Sequence, residues 1–132
     1  ELSSFGSWNG NKLAKPTVAA KDAAKISVGN SILSTWNLLL DDGALQKGEE
    51  HLAGTQRPVV AHMSEKTATD NKLENEEKVI ISNSRGSITI KLEIIEMVND
   101  VVWIPSNNHD SKVKSKLGAK EGDVVTIKKG SF

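Results

Sequence analysis

The sequence predicts a mainly β fold with short helices, in which the strands close into one small barrel. Apolar residues occupy alternate positions in 78–95, as in a pair of strands with one buried face. Glycine, proline, asparagine and aspartate divide the rest of the chain into short strand-length segments. Because 132 residues can bury one modest core, we expect a single barrel domain.

The chain divides into a connector over 1–30, partly ordered, and a barrel domain over 31–132. The connector contains several glycines, a proline and a stretch of Ala, Lys and Asp over 18–25, without a sustained apolar stripe. Phe5 and Trp8 are too large and apolar to be typical of a free linker. We expect them to pack on the barrel, and the alternative is a neighbour outside this chain.

The first part of the barrel domain contains two expected strands, over 32–36 and 59–63. Between them we expect a short helical turn over 38–43, closed by a glycine. Ser64 follows the second strand and can cap a helix over 65–71, because its hydroxyl can accept a backbone N–H that the helix leaves unpaired.

The middle of the chain carries the clearest pattern, a β-hairpin over 78–95. We expect Gly86 to let its turn adopt a positive φ angle. A second turn at 99–100 leads into a strand over 101–104 that a proline ends. Trp103 in this strand is expected to pack in the barrel core.

The segments 71–81 and 117–127 suggest a faint internal repeat of a turn followed by a strand. Their apolar strand positions coincide when aligned, and the two glycines of the later copy fall on Lys72 and Glu76. Two related halves that cross to close one barrel would explain the repeat, since closure removes unpaired sheet edges. Chance similarity is the alternative.

Composition excludes several classes of function. Seventeen basic residues balance seventeen acidic ones, which disfavours nucleic-acid binding. The chain has no cysteine, so it cannot ligate zinc or an iron–sulfur cluster through thiolates. Its longest apolar run, 38–40, is far below the roughly 20 residues of a membrane-spanning helix. The start at Glu1 does not resemble a signal peptide and is expected for a fragment of a larger protein.

The titratable residues nominate no catalytic group and no metal site. The three histidines are widely spaced and lack the i, i+4 pairing that would place two imidazoles on one helix face. The acidic pairs at 41–42 and 49–50 are sequence neighbours beside glycine, as in solvated turns. Neither a nucleophile elbow nor a phosphate-binding loop is present.

The pattern Leu-Gly-x-x-x-Gly-Asp-x-Val-x-Ile at 117–127, with its partner hairpin at 78–95, resembles the molybdopterin-dinucleotide-binding C-terminal domain of the molybdopterin oxidoreductase family. The stretches 33–41, 50–61 and 101–107 resemble more specifically the family of large iron–sulfur subunits, the G subunits, of bacterial NADH–quinone oxidoreductases (complex I). This resemblance implies a closed six-stranded double-psi β-barrel of the aspartate-decarboxylase-like type.

The resemblance also implies where a cofactor would bind. Relatives that bind the pterin dinucleotide carry a Thr-Gly-Arg type sequence on the first strand, where this chain has Thr35, and a second polar loop, which Thr55 and Arg57 match. By resemblance, the cofactor-binding residues are Thr35, Thr55, Arg57 and Asn107. However, Trp36 stands where a glycine would let the backbone approach a phosphate, which argues against close contact.

The function implied by the resemblance is a structural and assembly role in an electron-transfer complex, with a relic molybdopterin-dinucleotide site. Iron–sulfur clusters would then lie in the remainder of the parent chain, with no cofactor in this fragment. The partners would be that remainder and other subunits of the cytoplasmic peripheral arm, without nucleic acid or direct membrane insertion. The alternatives are a genuine molybdopterin guanine dinucleotide domain of the formate dehydrogenase or nitrate reductase type, and a protein-binding double-psi barrel module.

Overall fold

The computed structural model describes residues 25–130 and the isolated residues 10, 14, 17 and 19. The expected packing of Phe5 and Trp8 lies outside these described residues. The strands are β1 Asn30–Trp36, β2 Val60–Met63, β3 Lys78–Ser82, β4 Ser87–Ile94, β5 Val101–Pro105 and β6 Val124–Lys129. The short helical segments are α1 Glu50–Ala53, α2 Glu65–Asp70 and a π-helical turn at Val113–Leu117.

The six strands form a closed barrel in the order β1, β5, β2, β4, β3, β6 and back to β1. The pairs β1–β5 and β2–β4 are parallel, and the other four pairs are antiparallel. The predicted closed barrel is therefore confirmed. So is the predicted hairpin, because β3 and β4 pair from Lys78 opposite Lys91 to Ser82 opposite Ser87.

The barrel core is built from alternate residues of every strand. These side chains point inward and are buried, whereas their neighbours point outward. The buried apolar strand residues are Leu33, Ala61, Met63, Val79, Ile81, Ile88, Ile90, Leu92, Val102, Ile104, Val125 and Ile127. Leu73, Val113, Leu117 and Ala119 from the connections add to the same cluster. The same alternation that predicted the strands thus separates the buried strand residues from the outward ones.

The internal repeat is confirmed by backbone geometry. Lys72 has a φ angle of 56° where its aligned partner Gly118 has 63°, and Glu76 has 69° where Gly122 has 85°. All four residues adopt the left-handed conformation that normally favours glycine. The two copies therefore make the same turn, although only the later copy uses the residue that makes it without strain.

Hydrogen bonds around this turn repeat as well. The N–H of Gly122 donates to the carbonyl of Leu33 and the N–H of Leu33 donates to that of Asp123, both at 2.9 Å. In the other copy, the N–H of Glu76 donates to the carbonyl of Leu92 at 2.8 Å, and the N–H of Leu92 donates to that of Glu77 at 2.7 Å. Hence β1 corresponds to β4 and β3 to β6, and the barrel has two halves related by a pseudo-twofold.

Ser64 caps α2 as predicted, since its hydroxyl accepts the N–H of Thr67 at 3.2 Å. The helical turn expected over 38–43 does not form. Instead, Asp41 accepts the N–H of Gly43 at 2.8 Å and closes a local turn. Because this side chain offers the backbone another partner, no helical hydrogen bond is needed here. Helix α1 follows this turn, and neither it nor the π-helical turn was predicted.

Gly86 does not have a positive φ angle, so the predicted reason for this glycine is wrong. The physical reason is close approach of another backbone segment. A Cβ atom on Gly86 would lie 2.0 Å from the carbonyl oxygen of Lys116, in the π-helical turn. A glycine is therefore required here because the β3–β4 turn packs directly against the backbone of a distant connection.

Candidate functional site

The four residues implied by the resemblance lie around the end of β1, but they do not line one cavity. Thr35 and Asn107 line a cleft of about 930 Å³. Thr55 and Arg57 line a smaller pocket of about 350 Å³. Leu38 and the two residues beside it line both cavities. The segment after β1 therefore runs between the two predicted pairs.

Thr35 forms a hydrogen bond inside the larger cleft. Its hydroxyl donates to Oε1 of Glu121 at 2.7 Å, which links the end of β1 to the turn before β6. The pseudo-twofold partner of Glu121 is Asn75, whose Oδ1 accepts the N–H of Ile94 on β4 at 2.8 Å. The same turn position thus ties down the end of a strand in both halves. Sequence reasoning aligned Glu121 with Asn75 but missed this contact, because the alignment did not show which strand lies opposite.

Asn107 holds together two loops that border the larger cleft. The side-chain N–H of Asn107 donates to Oδ2 of Asp41 at 3.3 Å, and its main-chain carbonyl accepts the backbone N–H of Asp42 at 2.9 Å. Lys112 adds an ion pair to Asp42, with 3.2 Å between Nζ and Oδ2. In a second side-chain hydrogen bond, the hydroxyl of Ser106 donates to Oδ1 of Asn37, in the segment after β1. These contacts order the cleft without a ligand.

The smaller pocket contains one internally bonded polar side chain and one exposed cation. The hydroxyl of Thr55 donates to the carbonyl of Leu52 at 2.8 Å, at the end of α1. Arg57 is exposed. Within residues 25–130, no carboxylate lies within ion-pair distance of Arg57. Trp36 forms another part of the pocket wall.

Trp103 does not pack in the barrel core, so that prediction is wrong. It alternates with Val102 and Ile104, which point inward, and is therefore on the outer surface of β5, where it is half-buried. Its ring centroid lies 4.5 Å from that of Trp36 and 5.8 Å from that of His62. Trp36 and His62 meet edge to face at 5.1 Å. The three rings form an aromatic cluster across β1, β5 and β2 that periodicity alone did not reveal.

His62 is the titratable member of this cluster. Its side chain is 18% exposed, with Nε2 3.7 Å from a carboxylate oxygen of Glu93. Burial lowers the pKa of His62 below its ordinary value of 6.5, and the nearby Glu93 carboxylate offsets part of that effect. Nδ1 is buried without a hydrogen-bond partner among the described residues. Burial thus favours the neutral form of the imidazole.

Two further observations bear on the kind of site. Over the described part of the chain, no three His, Asp or Glu side chains come together as metal ligands. No helix in that part is long and apolar enough to cross a membrane.

A closed six-stranded barrel with two parallel strand pairs and a pseudo-twofold is the double-psi β-barrel fold. Comparison with solved structures gives the same fold. The computationally designed msDPBB_sym2 protein superimposes with a TM-score of 0.50 at 15% identity, over 76% of this chain and 96% of that one. The rationally designed apDPBB_sym_79 protein gives a TM-score of 0.50 at 13% identity, over 77% and 97%. These similarities define the class of the domain, and no family model matches the chain.

Sequence relatives of the chain include G subunits of NADH-quinone oxidoreductases. The G subunit of the NADH-quinone oxidoreductase of Mycobacterium bovis is 40% identical over 131 residues, which is 99% of this chain and 16% of the relative. The G subunit of the Streptomyces coelicolor enzyme is 32% identical over 127 residues, which is 96% of this chain and 15% of the relative. The chain is thus a homologue of one segment of these G subunits, and it spans about a sixth of the length of these curated relatives.

Proposed function

We propose that this chain is the barrel domain of the G subunit of an NADH–quinone oxidoreductase and serves a structural and assembly role within that electron-transfer complex. The molybdopterin-dinucleotide site implied by its resemblance is a relic. One observation carries this proposal: three of the four polar side chains expected to contact the cofactor are used for contacts within the domain.

Three of the four candidate side chains support this interpretation. Thr35 donates to Glu121, Thr55 to the Leu52 carbonyl and Asn107 to Asp41. A polar group gains less from a ligand when it already has a partner, because the ligand must first replace the existing hydrogen bond. Of the three, Thr35 and Asn107 are half-buried and Thr55 is exposed. Binding would therefore require the cleft to exchange internal contacts for external ones.

The residues present do not fit a pterin dinucleotide. Its pyrophosphate is anionic, and Asp41 and Glu121 in the larger cleft would repel it, but Lys112, Lys114 and Lys120 line the same cleft and would attract it. The charge of the cleft therefore does not decide the question, and the misfit lies in the position of Trp36. Trp36 packs against Trp103 and His62, and by the resemblance it stands where backbone would have to approach the ligand. We therefore assign no redox step to this domain.

The proposed architectural role places the domain among the remainder of the parent subunit and other subunits of the peripheral arm, on the cytoplasmic side of the membrane. The iron–sulfur clusters that carry electrons would lie in the remainder of the parent subunit. A folded barrel can contribute to assembly without chemistry, because a rigid domain presents fixed surfaces to its neighbours.

The second candidate is a genuine molybdopterin guanine dinucleotide domain. Arg57 favours it, since an exposed guanidinium without an acidic partner among the described residues can bind a phosphate through two parallel hydrogen bonds.

A titration of the domain with the pterin guanine dinucleotide, followed by amide NMR shifts, separates the two candidates. Our proposal predicts no saturable shifts at millimolar ligand, a regime in which sites as weak as about 4 kcal/mol respond. Saturable shifts clustered at Thr35, Thr55, Arg57 and Asn107 would instead establish the cofactor site.

The assembly role has its own test in the full-length parent chain. Met63→Asp places a charge in the core, where the methionine is fully buried, and should unfold the barrel. Thr89→Asp is the matched control, because Thr89 is exposed on the outside of β4. We expect Met63→Asp, and not Thr89→Asp, to reduce the amount of the G subunit recovered in the purified complex. Equal recovery of both variants would contradict an assembly role.

A further inference from the structure

The outer surface of the barrel differs in chemistry from strand to strand. Apart from Asn30 at the start of β1, the outward residues of β1, β5 and β2 form a half-buried, largely apolar surface, which we call the tryptophan face: Ile32, Ser34, Trp36, Val60, His62, Val101 and Trp103. The outward residues of β4 are polar or charged and exposed: Ser87, Thr89, Lys91 and Glu93. A closed barrel surrounded by water would be expected to expose polar side chains on every strand.

The pseudo-twofold shows that the fold itself does not require an apolar residue at Ile32. Because Leu33 on β1 corresponds to Leu92 on β4, Ile32 corresponds to Lys91 and Ser34 to Glu93. A lysine is thus accommodated at the backbone position of Ile32 in the other half. The apolar side chain of Ile32 therefore calls for an explanation outside the barrel.

The tryptophan face continues into the smaller pocket at its edge. Trp36, Leu38, Leu39 and Arg57 line that pocket together. Leu39 is 92% exposed, which is costly for so large an apolar side chain in water. Arg57 adds a cation that has no acidic partner among the described residues. Aromatic residues and arginine beside an apolar pocket are the groups that anchor protein interfaces.

We propose that the tryptophan face and this pocket dock the remainder of the parent subunit, through an apolar side chain that fills the pocket and a carboxylate that pairs with Arg57. This inference rests on the proposed function. About five-sixths of the length of the curated relatives lies outside the matched segment. Chain connected to the domain is present at a high effective concentration, so even a modest patch can hold it. A carboxylate complements Arg57 in charge and in bidentate geometry.

Photo-crosslinking in the purified oxidoreductase tests the proposal. A photoreactive amino acid replaces Leu39 in the full-length parent chain, and in a second sample it replaces Lys128, an exposed residue of β6, which is opposite β2 in the barrel. We expect the Leu39 position to capture a peptide of the same chain from outside these 132 residues, with an acidic residue beside apolar ones. The Lys128 position should capture that peptide about tenfold less.

A charge reversal identifies the contact. Arg57→Glu should reduce the Leu39 cross-link about tenfold, because the carboxylate partner is then repelled. Lys78→Glu makes the same change on β3, which is opposite β5 in the barrel, and should leave the cross-link intact. Capture of residues 1–24, of a second copy, of another subunit, or of nothing would overturn the proposal.

These results are distinguishable from failure of the proposed function. If the domain binds the pterin dinucleotide or is dispensable for assembly, the proposed function fails, whatever Leu39 captures. If the assembly test succeeds while Leu39 captures another partner, only the docking surface assigned here is wrong.

Discussion

Replacement of Gly86 by alanine tests the inferred packing between the β3–β4 turn and the π-helical turn. The added Cβ would lie 2.0 Å from the Lys116 carbonyl oxygen and 3.1 Å from its carbonyl carbon. Ordinary contact requires more than 3 Å, so two backbone segments must separate by about 1 Å or more. Overpacking of this kind costs about 1–3 kcal/mol and more against rigid backbone. We expect a loss of about 3 kcal/mol in the free energy of unfolding.

Urea unfolding, followed by circular dichroism, measures this loss, and a thermal scan should show a decrease in Tm of at least about 12 °C. Gly122→Ala is the control, because nothing lies within 4 Å of its added Cβ although its φ angle is +85°. The loss of stability in Gly122→Ala should come from the backbone conformation alone. We expect a loss of about 1 kcal/mol, because the lower conformational entropy of the unfolded chain offsets part of the backbone strain. A cost for Gly86→Ala no larger than that for Gly122→Ala would refute the close-approach argument.

Three other substitutions test the core, the repeat and the aromatic cluster. Leu92→Ala removes a fully buried side chain and should cost about 2–5 kcal/mol in urea unfolding. Lys72→Gly removes the backbone strain of a φ angle of 56° and should raise the free energy of unfolding by about 0.5 kcal/mol. Relief of the strain contributes about 1–2 kcal/mol, and the greater flexibility of the unfolded chain offsets part of it. Lys72→Ala should show no such gain. The pKa of His62 is lowered in the folded state, so the unfolded state takes up the proton first as the pH falls through 6.5. Stability should therefore decrease over that window in the wild type, and less in His62→Phe; an unchanged slope would contradict the burial of His62.

The strand pattern was largely predictable from the sequence because it depends on local alternation. Of the apolar positions of β4, Ile88, Ile90 and Leu92 are buried, as a period of two requires, and Ile94 at the end of the strand is partly buried. The turn between β3 and β4 was also visible, because Gly86 lies in a cluster of turn residues. Its physical role was not, since the carbonyl that excludes a side chain belongs to a residue 30 positions away, Lys116.

The position of Trp103 shows the limit of periodicity. Alternation separates the strand residues into two sets, but assignment of a set to the core or to the surface depends on its neighbours in the barrel. Val102 and Ile104 fill the interior, and Trp103 consequently lies outside. An apolar side chain on the outer surface cannot be told from a core residue without the strand order, and β5 lies between β1 and β2 only in the folded chain.

The candidate site was predictable only as a neighbourhood. Resemblance placed Thr35, Thr55, Arg57 and Asn107 near one another, and all four border cavities at the end of β1. The division into two cavities and the bond from Thr35 to Glu121 depend on the loop after β1 and on a turn 86 residues away. Such long-range geometry leaves no local signal in the sequence.

The cyclic strand order has a consequence for how the chain can be made. The strands of the first half are β1, β2 and β3, and every one of their pairing partners belongs to the second half. During synthesis, therefore, the chain up to Ser82 holds three strands and not a single strand pair. Each of them presents two open edges to the solvent until β4, β5 and β6 have left the ribosome. The two halves are similar in shape, yet neither is a folding unit without the other.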